Sequence, residues 1–179
     1  MSRIFWLFSA VLVSGCCTIE DTASKFWLRH VEKMTNWIQA DAEALKYREE
    51  EEAAREYLRL LRDLTTVQEV SARLKADGFH WRREALDFTN YPWVTIAKRR
   101  GDCDDFMVLW EAALKYKEGR TQKVFVASRT SAHAMLLYTK SGTVWLLSNL
   151  DIFAVGIVGQ EEEMIRKFYL DSTRKIVIY

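Results

Sequence analysis

At Gly119 the hydrophobic period of this sequence changes, and that change sets the fold class. Before it, apolar residues recur at helical spacing: Trp27, Val31, Met34, Ile38 and Leu45, then Ala54, Leu58, Leu61 and Leu64. Residues 22–64 therefore read as one long helix or two end to end. The run Tyr47-Arg48-Glu49-Glu50-Glu51-Glu52 interrupts the stripe, and Glu51–Arg55 and Arg59–Asp63 sit at i,i+4. This segment reads as a solvated helix face bridging two packed ends, with a partner-binding coiled coil as the alternative, although the heptads are not sustained. Thr66–Asp77 reads as a second helix stopped by Gly78. Phe79–Pro92 reads as extended or irregular, and Trp93–Arg100 leads to Gly101. Asp102 then suits a helix N-cap, with Asp105 as its capping-box partner and Gly119 as the stop. After Gly119 come short β-rich runs at Gln122–Arg129, Ala132–Lys140 and Thr143–Leu150, with Ser141-Gly142 as a hairpin turn. Ile152–Val158 is a candidate fourth strand, Gln160–Leu170 a helix and Lys175–Tyr179 a closing strand. Helices first and an antiparallel sheet afterwards is an α+β order.

Composition narrows the function classes. The chain has 179 residues, a formal net charge of +1 and 49% hydrophobic residues, which suits one packed core and argues against disorder. With no basic excess, a nucleic-acid partner read through phosphates is not expected. Seven Gly and one Pro exclude a collagenous chain, and three cysteines exclude a disulfide scaffold. The N-terminus reads as an address. Arg3 precedes the apolar run Ile4–Val13, too short to span a bilayer and of the length of a signal-peptide core. The following Val13-Ser14-Gly15-Cys16 resembles a bacterial lipobox, which implies acylation of Cys16. The alternatives are a plain signal peptide or an uncut anchor. By the same resemblance, the absence of Asp at position 17 implies an outer membrane location facing the periplasm, with the membrane engaged through the lipid. The expected divisions are 1–15 signal peptide, 16–65 tether and long helical region, and 66–179 the folded domain.

Within that domain the chemistry-bearing residues are Cys103 and His133. Cys103 falls in the first turn of its helix, where unpaired N–H groups and the helix dipole favour a thiolate. The flanking Asp102, Asp104 and Asp105 oppose it; the expectation is that dipole and histidine prevail and the thiol pKa is depressed. His133 opens a strand and could take the thiol proton and return it to a leaving amine. A lone Cys and a lone His are equally compatible with packing roles. His30 and His80 read as packing or surface residues. Trp81, Tyr91 and Trp93 read as core, or in one case as a wall beside Cys103.

Three segments carry a family resemblance: Gly101-Asp102-Cys103-Asp104-Asp105-Phe106, Ser131-Ala132-His133-Ala134-Met135-Leu136, and Trp145-Leu146-Leu147-Ser148-Asn149. Together with the approach Asp87–Thr95, they resemble the transglutaminase-like cysteine peptidase superfamily, most of all its bacterial periplasmic branch, over roughly residues 79–150. The resemblance implies a papain-like core with the Cys helix packed on an antiparallel sheet. It also implies a thiol-dependent peptidase, amidase or acyltransferase acting on a protein or peptide substrate of the envelope or periplasm. Cys103 would be the nucleophile and His133 the base. Ala132 replaces the family's usual Gly. Ser148 stands where the family has its third catalytic residue, an Asp. Asn149 is the alternative, although strand alternation turns it to the opposite face and a bulge would be needed to bring it in; Asp151 faces the same way as Asn149. Some relatives bind Ca²⁺ with acids flanking the cysteine, so Asp102, Asp104 and Asp105 are candidate ligands, with helix capping as the other reading; no cofactor is required. Competing with catalysis are an impaired transglutaminase-like binding module and a lipid-tethered structural protein.

Overall fold

The helical stripe of the first third of the chain builds two helices, not one. In the computed structural model, residues 36–83, 88–127, 132–168 and 175–178 are described, so Trp27, Val31 and Met34 fall outside. Helix α1 covers residues 36–46 of the described chain and α2 covers Glu51–Asp63, with a 3-10 turn at Arg48–Glu50 between them. Tyr47 packs against the core while its backbone leaves helical geometry (φ −113°, ψ 21°), which places the break at the charged run. The charged run is solvated and joins two packed ends, with Ala44 and Tyr47 on one side and α2 on the other. In α2, Ala54, Leu58 and Leu61 share one buried cluster with the central helix and the sheet. Its outer face carries Arg55–Glu51, while Arg59 pairs with Glu56 rather than with Asp63.

Helix α3, Val67–Ala76, starts in a capping box. The Thr66 side chain accepts from Glu69 N at 3.1 Å, and the Glu69 carboxylate accepts from Thr66 N at 2.9 Å. Strand β1, His80–Trp81, pairs in parallel with β2, Arg100–Gly101. The approach to Gly101 contains a helix that the sequence reading passed over: α4, Pro92–Lys98, with Pro at its first turn, where the missing N–H costs nothing, and Arg99 closing it at φ 52°. Helix α5 runs Cys103–Leu114. It ends before Glu118 because the chain turns at Lys115–Gly119, and Lys117 Nζ donates to Arg62 O and Leu64 O at the end of α2.

The later chain forms β3 (Arg120–Ala127), β4 (Ala132–Lys140), β5 (Thr143–Ser148), β6 (Asp151–Ile157), helix α6 (Glu161–Phe168) and β7 (Lys175–Ile178). Among the described residues the larger sheet has the order β6-β5-β4-β3-β7, antiparallel at every step. The fold is α+β. β4 lies at its centre, buried on both faces, which is why it reads as an unbroken apolar run. Ala134, Leu136 and Tyr138 join the cluster of α2, α3, α4 and α5; Met135 and Leu137 join that of α6, through Met164 and Ile165.

One contact ties the turn after α5 to the sheet. A Cβ at Gly119 would overlap the buried Tyr138 ring on β4. Gly119→Ala should therefore force the ring aside and cost about 1–3 kcal/mol, as overpacking does. Urea unfolding checks this, and a midpoint equal to that of the parent chain would contradict it.

Candidate active site

Cys103 is the first residue of α5, and the residues before it are fixed by one buried carboxylate. Asp102 is extended (φ −98°, ψ −161°) and closes a capping box with Asp105, whose Oδ2 accepts from Asp102 N at 3.4 Å. Asp105 is fully buried. Its Oδ1 also accepts from Asn90 N at 2.7 Å, and both its oxygens accept from Asn90 Nδ2, at 3.1 and 3.0 Å. Asp104 accepts from Thr89 Oγ1. Two neighbouring acids thus hold the loop at 89–90 against the start of α5. Gly101 is required by this closeness, since a Cβ there would stand 2.7 Å from Asp105 Cβ.

The ligand atoms of Asp102, Asp104 and Asp105 lie within 4.8 Å of one another. Calcium takes six to eight oxygen ligands. Asp105, however, spends its oxygens on N–H donors, and Asp104 has the Thr89 hydroxyl. Each of these two acids has a part in the local fold that needs no ion.

Cys103 is a half-buried free thiol. Its pKa is pushed up, not depressed as the sequence reading expected. Burial is the main cause, and the charges of Asp104 and Asp102 add to it; N–H groups of Ala134 and of Cys103 itself pull the other way. That the Ala134 N–H acts on the thiol sets Cys103 beside β4, and Ala134 is the neighbour of His133 in the chain.

His133 is the second residue of β4, and its Nε2 lies 2.8 Å from Ser148 Oγ. Ser148 ends β5 and is buried. The β4–β5 ladder closes with Leu136–Leu147, so His133 reaches Ser148 diagonally across the strand pair. A bulge is present, but on the other side of β5. Leu146 faces Ala154 and Leu147 faces Ile152, which leaves Phe153 as the extra residue of β6. β5 itself stays regular, and Ser148 remains at the histidine. Asn149 turns away at φ 51°, its carbonyl accepting from Trp110 Nε1 at 2.6 Å, and its buried Oδ1 has no hydrogen-bond partner among the described residues. Asp151 is exposed and paired with Lys75 at 2.5 Å.

The aromatic candidates divide. Trp93 is buried in the core, with the Arg55 guanidinium 5.9 Å from its ring centroid. Tyr91 donates to Asp41 at 2.8 Å, and Trp81 is exposed. His80 is exposed, with Nδ1 3.2 Å from Gly78 O. His30, Cys16 and Cys17 lie outside the described residues. The sequence reading missed Asn90, Trp110 and the Ala134 N–H. Asn90 had a signal in its place beside Thr89 before a proline-started helix, and Trp110 in its position two turns after Cys103; a backbone donor carries none.

The arrangement holds a thiol at a helix start packed beside the central strand, and a histidine at the start of that strand with one ring nitrogen tied to a hydroxyl. No family model matches the chain, and no curated protein does either.

The raised thiol pKa has a direct readout. The rate of iodoacetamide alkylation of Cys103 should still climb through about pH 8.5, where an ordinary thiol is half ionised. Asp104→Asn removes a like charge beside the thiolate, so its profile should move to lower pH. An unmoved profile would show that the Asp104 charge does not act on the sulfur.

Proposed function

We propose that this protein is a thiol-dependent peptidase, amidase or acyltransferase of the transglutaminase-like kind, with Cys103 as nucleophile, His133 as base and Ser148 as the residue that orients the base. The observation that carries the reading is the bond between His133 Nε2 and Ser148 Oγ, at the start of the strand on which the Cys103 helix packs. Strand alternation turns His133 to the Ser148 face of β4 while Cys103 packs on the other, so in this reading the proton passes between thiol and imidazole around the start of the strand. Because the resting thiol holds its proton, the base must remove it in each turnover. The sulfur then bonds to the amide carbonyl carbon. The C–N bond breaks, and His133 returns the proton to the leaving amine. Water or a second amine then attacks the thioester, giving an acid or a new amide and restoring the thiol. The N–H groups at the start of α5 suit the transient oxyanion.

Ser148 brings a hydrogen bond but no charge, so the imidazolium is less stabilised than beside a carboxylate. In a serine protease, exchanging the triad Asp for a neutral residue costs about 10⁴ in kcat; a thiol leans less on its base, and the loss here is smaller. The raised thiol pKa and the neutral Ser148 also favour a second reading, an impaired transglutaminase-like module that docks a protein partner. Turnover of a peptide-amide library separates the two. Cys103→Ala should abolish turnover, and Ser148→Asp should raise it by about tenfold or more. If the first variant loses nothing and the second gains nothing, the docking module stands instead.

The same proposal puts the protein in the bacterial cell envelope, lipid-anchored through Cys16 and facing the periplasm. Cys16→Ala should lose a fatty-acid label and accumulate as precursor, and continued labelling of that variant would overturn the anchor.

A further inference from the structure

We infer that Trp110, with Ser71 and Lys75, is a positioning residue for His133, acting through the turn that follows Ser148. The inference rests on the catalytic reading above and adds to it the parts that hold Ser148 in place. Three side chains from the helical layer grip three successive residues of that turn. Trp110 Nε1 on α5 donates to Asn149 O at 2.6 Å. Ser71 Oγ on α3 donates to Leu150 O at 2.6 Å. Lys75 Nζ on α3 pairs with Asp151 Oδ1 at 2.5 Å. Two of these acceptors are backbone carbonyls, so the grip fixes the chain itself and not a rotatable side chain.

The grip is needed because Ser148 is the last residue of β5 and lies beyond the Leu136–Leu147 pair that closes the ladder with β4. The next residue, Asn149, is in the left-handed region, where the chain leaves the strand. The remaining ladder partner of Ser148 is Asp151 of β6, directly across the turn, so the position of the hydroxyl depends on how that turn is held. Trp110 is almost fully buried and lies on the same helix as Cys103, two turns on. One rigid element therefore carries the nucleophile and also pins the segment that orients its base. An error of about 1 Å in such a constellation can cost about 10²-fold in rate, so a grip at hydrogen-bond distance matters to the chemistry.

The test is a double-mutant cycle on the full chain. Trp110→Phe keeps the buried ring and removes only the donor; Ser71→Ala is the second, milder variant should the first fold poorly. Each is made alone and in a Ser148→Ala background. Three quantities are read: the His133 titration by NMR of ring-labelled histidine, the pH profile of Cys103 alkylation, and peptide-amide turnover. Trp110→Phe and Ser71→Ala should each shift the His133 titration towards that of Ser148→Ala and lower kcat by about tenfold with KM unchanged. In the Ser148→Ala background neither should have a further effect, because the residue through which they act is gone. Shifts that are equal in both backgrounds, or a His133 titration unmoved by either variant, would overturn the inference and leave Trp110 and Ser71 as packing residues. If no form of the protein turns over any substrate, the catalytic reading fails, and the His133 titration alone still decides whether the grip orients the histidine.

Discussion

The packing of α5 on the central strand β4 is the contact on which the other features depend. Phe106, Leu109 and Trp110 of the helix share a buried cluster with Ala134, Leu136 and Leu147 of the sheet. Together with the α2 residues of that cluster, they give the helix a fully apolar seat, the dominant favourable term in folding. Ala134 is the small residue at the end of this contact that faces Cys103. Its methyl group lets the helix start lie close to the strand, and the Ala134 N–H pulls the thiol pKa down against burial. The same contact leaves His133, the neighbour of Ala134, to point to the other face of the sheet by strand alternation and to meet Ser148 there.

Electrostatics at the start of α5 run against a preformed thiolate. A helix N-terminus favours negative charge, but here three carboxylates already occupy it. Asp105 is buried and committed to Asn90 and to the cap, while Asp104 and Asp102 raise the thiol pKa along with burial. The acids that build the local fold are the ones that raise the thiol pKa. In the proposed enzyme, this coupling and the neutral Ser148 would leave the base more of the work than a thiolate–imidazolium pair needs.

The charged helix α2 shows how few apolar residues a docked helix needs. Its sequence is dominated by Glu and Arg, with the stripe Ala54, Leu58, Leu61 and Leu64 as its packing face. Three small or branched apolar residues, Ala54, Leu58 and Leu61, are enough to dock it on the core, because they fall on one face at the helical period. Lys117 then closes its C-terminus from across the molecule, which no local pattern in either segment reveals.

The sequence by itself determined the element order from Asp102 onward, the period switch at Gly119, the Asp102–Asp105 cap, the hairpin at Ser141-Gly142, and the placement of Cys103 at a helix start and His133 at a strand start. These depend on periodicity, capping chemistry and turn residues, all of which act over a few positions. The helix Pro92–Lys98 was legible too, in the proline that begins it, but it is short and its apolar residues follow no clear period. Only the tertiary structure decided that Ser148 and not Asn149 meets His133, because the bulge that could have exchanged them lies on β6 and not on β5. It also decided the direction of the Cys103 pKa, because burial is a property of the packed chain and, with the charges of Asp104 and Asp102, outweighs the nearby N–H groups. The bonds from Trp110 and Ser71 to the turn after Ser148 join residues far apart in the chain to backbone carbonyls, and every residue has a carbonyl. Side-chain identity marks one end of such a bond, and only the fold selects the other.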